Sequence, residues 1–246
     1  MKITNEIYML EIPANIMGTS SIINPTLLRD NEKVILVDTG FPGQLSKIRE
    51  AIENEGVAFY DLGMVILTHQ DIDHVGNTSS IIKEIQNNVK VFTHKEEKPF
   101  IDGEKKPIKL AQFEAKLDYL PENMKEIYSK LKAGFESSKV NVDYTMTDGE
   151  ELPYCGGILV IYTPGHTPGH ISLYLKRYKT LIAGDLLQIH NGKLILAPES
   201  TNFDMNLTKM SLKKLLNYDI ETVICYHGGI YKDDTNKRIA ELGDLL

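Results

Sequence analysis

The sequence has no tryptophan and only two cysteines, Cys155 and Cys225, among 246 residues. Two cysteines are too few for a disulfide framework, and neither stands in a Cys-x-x-Cys pair. Both read as small buried apolar side chains. Basic residues never cluster beyond pairs such as Lys105-Lys106 and Lys213-Lys214, and the formal charge is −7. A nucleic-acid footprint is therefore lacking, and no nucleic-acid partner is expected. No apolar run approaches the ~18 residues of a membrane span, so no membrane partner is expected either. Residues 1–13 carry Lys2, Glu6 and Glu11 without an apolar stretch, unlike a signal peptide. A cytoplasmic location is the default that follows. Repeats and low-complexity segments are also missing.

What is present is an alternation of short apolar runs and helical stretches, which indicates an α/β class. Strands are expected over 7–12, 21–28, 33–37, 64–68, 90–93, 158–163, 171–175, 180–183 and 222–226. Helices are expected over 44–55, where Leu45, Ile48, Ala51 and Ile52 share a face, and over 207–217, with Leu207, Met210 and Leu215. A third helix is expected over 77–84, running toward Asn87. Several strands are nearly continuous in apolar residues, as strands covered on both faces are. Five of them end in a residue capable of chemistry: Asp38, His69, His166, Asp185 and His227. Sites in such sheets form on the loops at one end of the strands. Five endings of this kind imply one site assembled from the whole chain, hence a single domain over 1–246.

Residues 95–139 interrupt the alternation. A charged, turn-prone stretch (Lys95-Glu96-Glu97-Lys98-Pro99) leads into helical spacing at Leu110, Phe113, Leu117, Met124, Ile127, Tyr128 and Leu131. This insertion leaves the strand that ends beside the presumed site, which favours a cap over a decorative helical pair. Its aromatics Phe100, Phe113, Tyr119, Tyr128 and Phe135 read as core at that spacing, with a pocket lining as the alternative.

The densest chemistry lies in Thr68-His69-Gln70-Asp71-Ile72-Asp73-His74-Val75-Gly76. A divalent metal needs several oxygen or nitrogen donors converging at ~2.0–2.2 Å. Residues i and i+2 of an extended stretch point the same way, so His69 and Asp71 can share a metal. Asp73 and His74 follow where the chain turns into a helix, and can face a second one. The turn Thr163-Pro164-Gly165-His166-Thr167-Pro168-Gly169-His170, the Gly184-Asp185 pair and the late His227-Gly228 add further donors. Seven potential ligands result: His69, Asp71, Asp73, His74, His166, Asp185 and His227. That number suits two metals sharing a carboxylate.

The order and spacing, from Asp38-Thr39-Gly40 through the His-x-Asp-x-Asp-His block to the late His-Gly, resemble the metallo-β-lactamase fold superfamily over essentially the full chain. The resemblance implies a four-layer αβ/βα sandwich: two mixed β-sheets face each other, helices lie outside, and the metal site sits at one edge. It implies His69, Asp71 and His166 on one metal, Asp73, His74 and His227 on the other, and Asp185 bridging. It further implies Asp38 as a residue that steadies the ligands and His170 as a structural histidine of the turn. The implied activity is metal-dependent hydrolysis of a small ester-type molecule (lactone, thioester, carboxylic ester or phosphodiester), with Asp73 as the catalytic residue orienting the attacking water. Two divalent ions are the expected cofactors, zinc foremost.

One position departs from the common His-x-His-x-Asp-His block, which has histidine where this chain has Asp71. A carboxylate is a harder ligand, which moves preference toward iron or manganese. It also opens a second reading, a diiron redox or oxygen-sensing protein on the same fold. For Asp71 the plainer alternative is a hydrogen bond to a histidine ligand. His94 and His190 read as ordinary surface or loop histidines. Cys225 reads as packing, although its strand leads to His227. A homodimer is an expected assembly.

Overall fold

The computed structural model describes residues 1–16, 18–86, 88–119 and 121–244. The first half runs β1 (Ile7–Met9), β2 (Ile12–Ile16), β3 (Thr19–Ile23), β4 (Thr26–Arg29), β5 (Val34–Val37), α1 (Leu45–Asn54), β6 (Leu62–Ile66), α2 (Ile72–Val75), α3 (Thr78–Glu84) and β7 (Lys90–His94). The insertion contributes α4 (Lys98–Ile101), α5 (Ile108–Glu114) and α6 (Glu122–Ser138). The second half runs β8 (Tyr144–Met146), β9 (Glu151–Leu152), β10 (Ile158–Tyr162), β11 (Ile171–Leu175), β12 (Thr180–Ile182), β13 (Leu187–His190), β14 (Lys193–Leu196), α7 (Met205–Lys214), β15 (Thr222–Cys225), β16 (Gly229–Tyr231) and α8 (Thr235–Asp244).

Two six-stranded mixed sheets result, ordered β1-β4-β5-β6-β7-β8 and β16-β15-β12-β11-β10-β9. Period-two alternation sends successive side chains to opposite faces, so the central strands, covered on both, are apolar. In β5, Ile35 and Val37 point between the sheets, while Val34 and Leu36 point outward. The inner layer joins these to Ile66, Ile158, Val160, Leu173 and Ile224 of both sheets. The outer face of the first sheet is covered by Ile48 and Ile52 of α1 and Ile81 of α3. That of the second is covered by Leu212 of α7 and Ile239 and Leu242 of α8. The αβ/βα sandwich is thus the architecture, and burying each such side chain contributes roughly 1.5–3 kcal/mol.

Some local expectations need correction. The run 21–28 is broken at Asn24-Pro25 into β3 and β4, since proline cannot donate to a ladder. The run 7–12 is likewise split between β1 and β2. The hairpin β13-β14, the edge strands β8, β9 and β16, and α8 lie outside the expected elements, and β2-β3 only overlaps them. Most are short or pair only at a sheet margin. The third expected helix ends at Glu84, and Asn87 lies outside the described residues. In the insertion, Leu110, Tyr128 and Phe135 form a small core of their own, against which Phe113, Leu131 and Ile72 of α2 pack. Tyr119 is 90% exposed and belongs to no core. Among the described residues, no helix is long and apolar enough to cross a membrane.

Candidate metal centre

Parallel pairing brings the chemistry to one edge. β5 runs parallel to β6, so the loops carrying Asp38 and Thr68-His69 leave side by side. β12 runs parallel to β15, which sets Asp185 near His227. β10 is separated from β12 by one antiparallel neighbour, so its turn emerges at the same edge.

All seven candidate ligands meet there. Donor atoms of His69, Asp71, His166 and Asp185 lie within 4.8 Å of one another, and so do those of Asp73, His74 and His227. Asp71 Oδ2 stands 3.2 Å from His69 Nε2 and 2.9 Å from His166 Nε2. Asp185 faces both groups: its carboxylate oxygens lie 3.4 Å from the Nε2 atoms of His74, His166 and His227. Asp73 Oδ2 lies 3.4 Å from His227 Nε2 and 3.9 Å from His74 Nε2. The first group is fully buried, whereas Asp73 and His227 are half-buried at the opening.

The surroundings fix which ring nitrogen faces inward. Buried Asp38 accepts the Thr68 amide and hydroxyl, each at 2.8 Å, and the His74 Nδ1–H at 2.8 Å. His69 Nδ1–H donates to the Thr68 hydroxyl at 3.0 Å. One carboxylate, directly and through Thr68, therefore turns Nε2 of both histidines toward the centre. His170 donates from Nδ1 to the Thr163 carbonyl at 3.1 Å, and its Nε2 accepts the Asp185 amide at 2.9 Å. It holds the backbone of Asp185 and does not face the centre. Gly184 makes this approach feasible. Its φ is +55°, and a Cβ there would meet His170 Nε2 at 2.5 Å. Gly165, at φ +137°, lets the His166 turn lie against α7, where a Cβ would meet the Thr208 amide at 2.3 Å.

Three residues of the surroundings escape the sequence reading. Glu97 lies in a stretch that reads as a charged turn, yet it is completely buried. Its carboxylate accepts the Gln70 amide at 2.8 Å and side chain at 3.0 Å, the Thr167 hydroxyl at 2.7 Å and the Gly169 amide at 2.6 Å. It lashes the His69 loop to the His166 turn. Burial pushes its pKa up, against these four donors. Tyr226 stacks on His74 with ring centroids 3.9 Å apart and donates its hydroxyl to the Asp73 carbonyl. Its place just before His227 is its only sequence signal. Lys109 of α5 forms an ion pair with Asp71 Oδ2 and reaches within 3.3 Å of His166 Nε2. Nothing in the sequence distinguishes it from the other lysines of the insertion.

Other residues set aside in the sequence reading lie elsewhere. His94 is buried at the end of β7 and stacks on Tyr162 at 4.3 Å, so it is no surface histidine. His190 is exposed on β13. Cys225 packs with Leu187, Leu212 and Val223 on the outer face of the second sheet, and burial raises its pKa. Cys155 is free and buried, its thiol pushed up to about 12 by burial.

The electrostatics are those of a carboxylate-rich pocket. Burial works against every charge, yet Asp38, Asp185 and Asp73 together hold the His74 pKa well above its ordinary range. Burial likewise opposes the His227 charge, but Asp185 and Asp73 raise its pKa to about 10. Against burial, His227 and His74 keep Asp185 well below the usual carboxylate range, and Lys109 with His69 does the same for Asp71. His166 is pushed down by burial and Lys109, and His170 well down by burial, His69 and His166. Among the described residues, three buried atoms of the candidate ligands, His74 Nε2, Asp185 Oδ1 and His166 Nδ1, have no hydrogen-bond partner, and the first two face each other in the centre. Buried polar atoms are nearly always satisfied, and a divalent cation satisfies both a bare imidazole nitrogen and a carboxylate oxygen. The donor set fits such ions.

Comparison with known proteins agrees with this architecture. The family model described as the metallo-beta-lactamase superfamily matches residues 18–227. The probable metallo-hydrolase YflN of Bacillus subtilis is 27% identical over 212 residues, covering 79% of this chain and 75% of the relative. A hydroxyacylglutathione hydrolase of Buchnera aphidicola is 28% identical over 192 residues, covering 76% of this chain and 58% of the relative. Among solved structures, a metallo-beta-lactamase family protein of Thermus thermophilus superposes with a TM-score of 0.76 at 23% identity, covering 99% of this chain and 80% of that one. A metallo-beta-lactamase of Pontibacter korlensis superposes with a TM-score of 0.70 at 17% identity, over 100% and 98% of the two chains. With the family model spanning most of its length, and the fold and the His/Asp cluster in accord, this chain belongs to the metallo-beta-lactamase superfamily.

Proposed function

We propose that this chain is a dinuclear metal-dependent hydrolase of a small ester-type molecule: a lactone, thioester, carboxylic ester or phosphodiester. The observation that carries the reading is the meeting of seven donors in two adjoining groups, with Asp185 facing both. His69, Asp71 and His166 would hold the first ion; Asp73, His74 and His227 would hold the second; Asp185 would serve both. Zinc is the first candidate, and Asp71 suits iron or manganese as well. Two divalent ions supply Lewis acidity and lower the pKa of a bound water toward ~7. The chain's own residues do the rest. Asp73 accepts a hydrogen bond from the attacking water at Oδ2 and aims it. His74 and His227 turn their Nε2 atoms toward Asp73 and Asp185. Asp38 and His170 keep His74 and Asp185 in place. The substrate lies in the groove of about 720 Å³ that opens on His227, between Ser21, Ile22 and Asn24 on one side and Ile189 and Gly228 on the other. The insertion acts as a cap, its α5 lying over Asp71 on the other flank.

The family relationship supports hydrolysis, and the name of one relative, a hydroxyacylglutathione hydrolase, supports including thioesters. A panel of lactone, thioester, phosphodiester, sulfate ester and lactam substrates tests the reading on protein reconstituted with Zn, Mn or Fe. Separate His69→Ala, Asp73→Ala and His227→Ala variants are expected to lose both metal and turnover. Full turnover by a metal-free triple variant would refute the proposal. Asp71 alone favours a second reading, a diiron redox or oxygen-sensing centre. An iron-dependent visible band in protein purified without added zinc, together with no hydrolysis across the panel, would select it.

A further inference from the structure

Asp71 Oδ2 is the hub of the first ligand group. Within hydrogen-bond reach of this one oxygen stand His69 Nε2, His166 Nε2 and the ammonium of Lys109. The ammonium is also 3.3 Å from His166 Nε2. It therefore occupies the space in which an ion held by Asp71 and His166 would have to sit. The second group contains nothing comparable: among the described residues, the ion pairs of Asp73 and Asp185 are with histidines only.

From this asymmetry we infer that Lys109 is an internal cation competing with the metal for the first position, so the centre fills in order. The position of Asp73, His74 and His227 loads first; that of His69, Asp71 and His166 loads second and more weakly. The inference rests on the proposal that the cluster binds metal.

Lys109 is placed by the loop it serves. The Ile108 amide donates to Gln70 Oε1 at 2.8 Å, so the first turn of α5 is fastened between His69 and Asp71. Gln70 is in turn held by the buried Glu97. Asp71 and Lys109 also belong together chemically. A carboxylate at this position accepts an ammonium, whereas a histidine ligand there would offer it no counter-charge. A divalent ion at this position would compete with the ammonium for Asp71. Lys109 has somewhere to go, because its side chain is 41% exposed, against 4% for Asp71. The first ion must therefore displace an ammonium that is not itself a ligand, whereas the second meets only histidines that hold it on giving up a proton.

The test is a Zn²⁺ titration of the whole chain stripped of metal, followed by calorimetry and by elemental analysis after dialysis. The wild type should bind in two steps, the weaker by about tenfold or more, as changes beside metal ligands alter affinity roughly 10–100-fold. Lys109→Met should tighten the weaker step by at least about tenfold and leave the tighter one unmoved. Lys109→Arg, which keeps the charge, should retain the two steps. Asp71→Ala should remove the weaker step and Asp73→Ala the tighter one, which assigns the order. Two equal steps in the wild type, or an unmoved weaker step in Lys109→Met, would overturn the inference. So would loss of the tighter step in Asp71→Ala. A wild type that binds no Zn²⁺ at all would instead overturn the metal reading of the cluster, and the order of loading with it.

Discussion

Removing the carboxylate of Glu97 tests whether one buried acid outside the ligand set holds the centre together. Glu97→Ala leaves four donors facing a void: the Gln70 amide, the Gln70 side chain, the Thr167 hydroxyl and the Gly169 amide. An orphaned buried donor costs about 1–3 kcal/mol. The Thr167 hydroxyl can rotate and the Gln70 side chain can turn away, so the two amides carry most of the loss. Removing a buried charge returns part of it, since burial already pushes the Glu97 pKa up. The expected net loss is about 3–5 kcal/mol, the range seen when buried charged networks are broken. Glu97→Gln separates the terms. Its carbonyl can serve the two Gln70 donors, and its amide can donate to a rotated Thr167 hydroxyl. Only the Gly169 amide then lacks a partner, for about 1–3 kcal/mol. Urea unfolding of the three proteins, with metal chelated, measures both figures. Because Glu97 joins the His69 loop to the His166 turn, Glu97→Ala should also weaken Zn²⁺ binding by roughly 10–100-fold. If Glu97→Ala unfolds within about 1 kcal/mol of the wild type, as surface substitutions do, the tethering argument fails.

Further expectations concern the same surroundings. Asp38→Asn keeps the size of the side chain but loses the charge that accepts from His74 Nδ1 and Thr68; Zn²⁺ affinity should fall roughly 10–100-fold while circular dichroism stays unchanged. In metal-free protein the His227 pKa is raised from 6.5 to about 10, so its contribution to stability is full below pH 6.5 and is lost as pH rises through about 10. His74 shifts in the same direction. The urea midpoint in chelator should therefore drop across that window in the wild type and drop less in His227→Asn; equal slopes would contradict the assignment. Gly184→Ala should destabilise by about 1–3 kcal/mol, the cost of a strained backbone position, and should push His170 off the Asp185 amide. An unchanged thermal midpoint would show that the turn relaxes freely.

Local pattern along the chain specifies the main strands and helices of this protein. Apolar runs such as Val34–Val37, buried at every position, mark strands covered on both faces. The residues that end those runs gather at the centre, four as candidate ligands and Asp38 as their support, since strands of like direction carry their chemistry to one edge. Spacing within Thr68–Gly76 was enough to divide His69 and Asp71 from Asp73 and His74. Local pattern could not show what comes from across the fold. Glu97 sits among lysines and glutamates in a stretch that reads as surface. Only the packing of β7 against the His166 turn buries it and supplies its four donors. His94 reads as a loop residue until Tyr162, from the opposite sheet, lies over its ring. Lys109 is one lysine among several until Gln70 fastens α5 beside Asp71. In each case the deciding contact joins residues far apart in sequence. Composition and periodicity report on neighbours along the chain, whereas burial and charge pairing are set by neighbours in space.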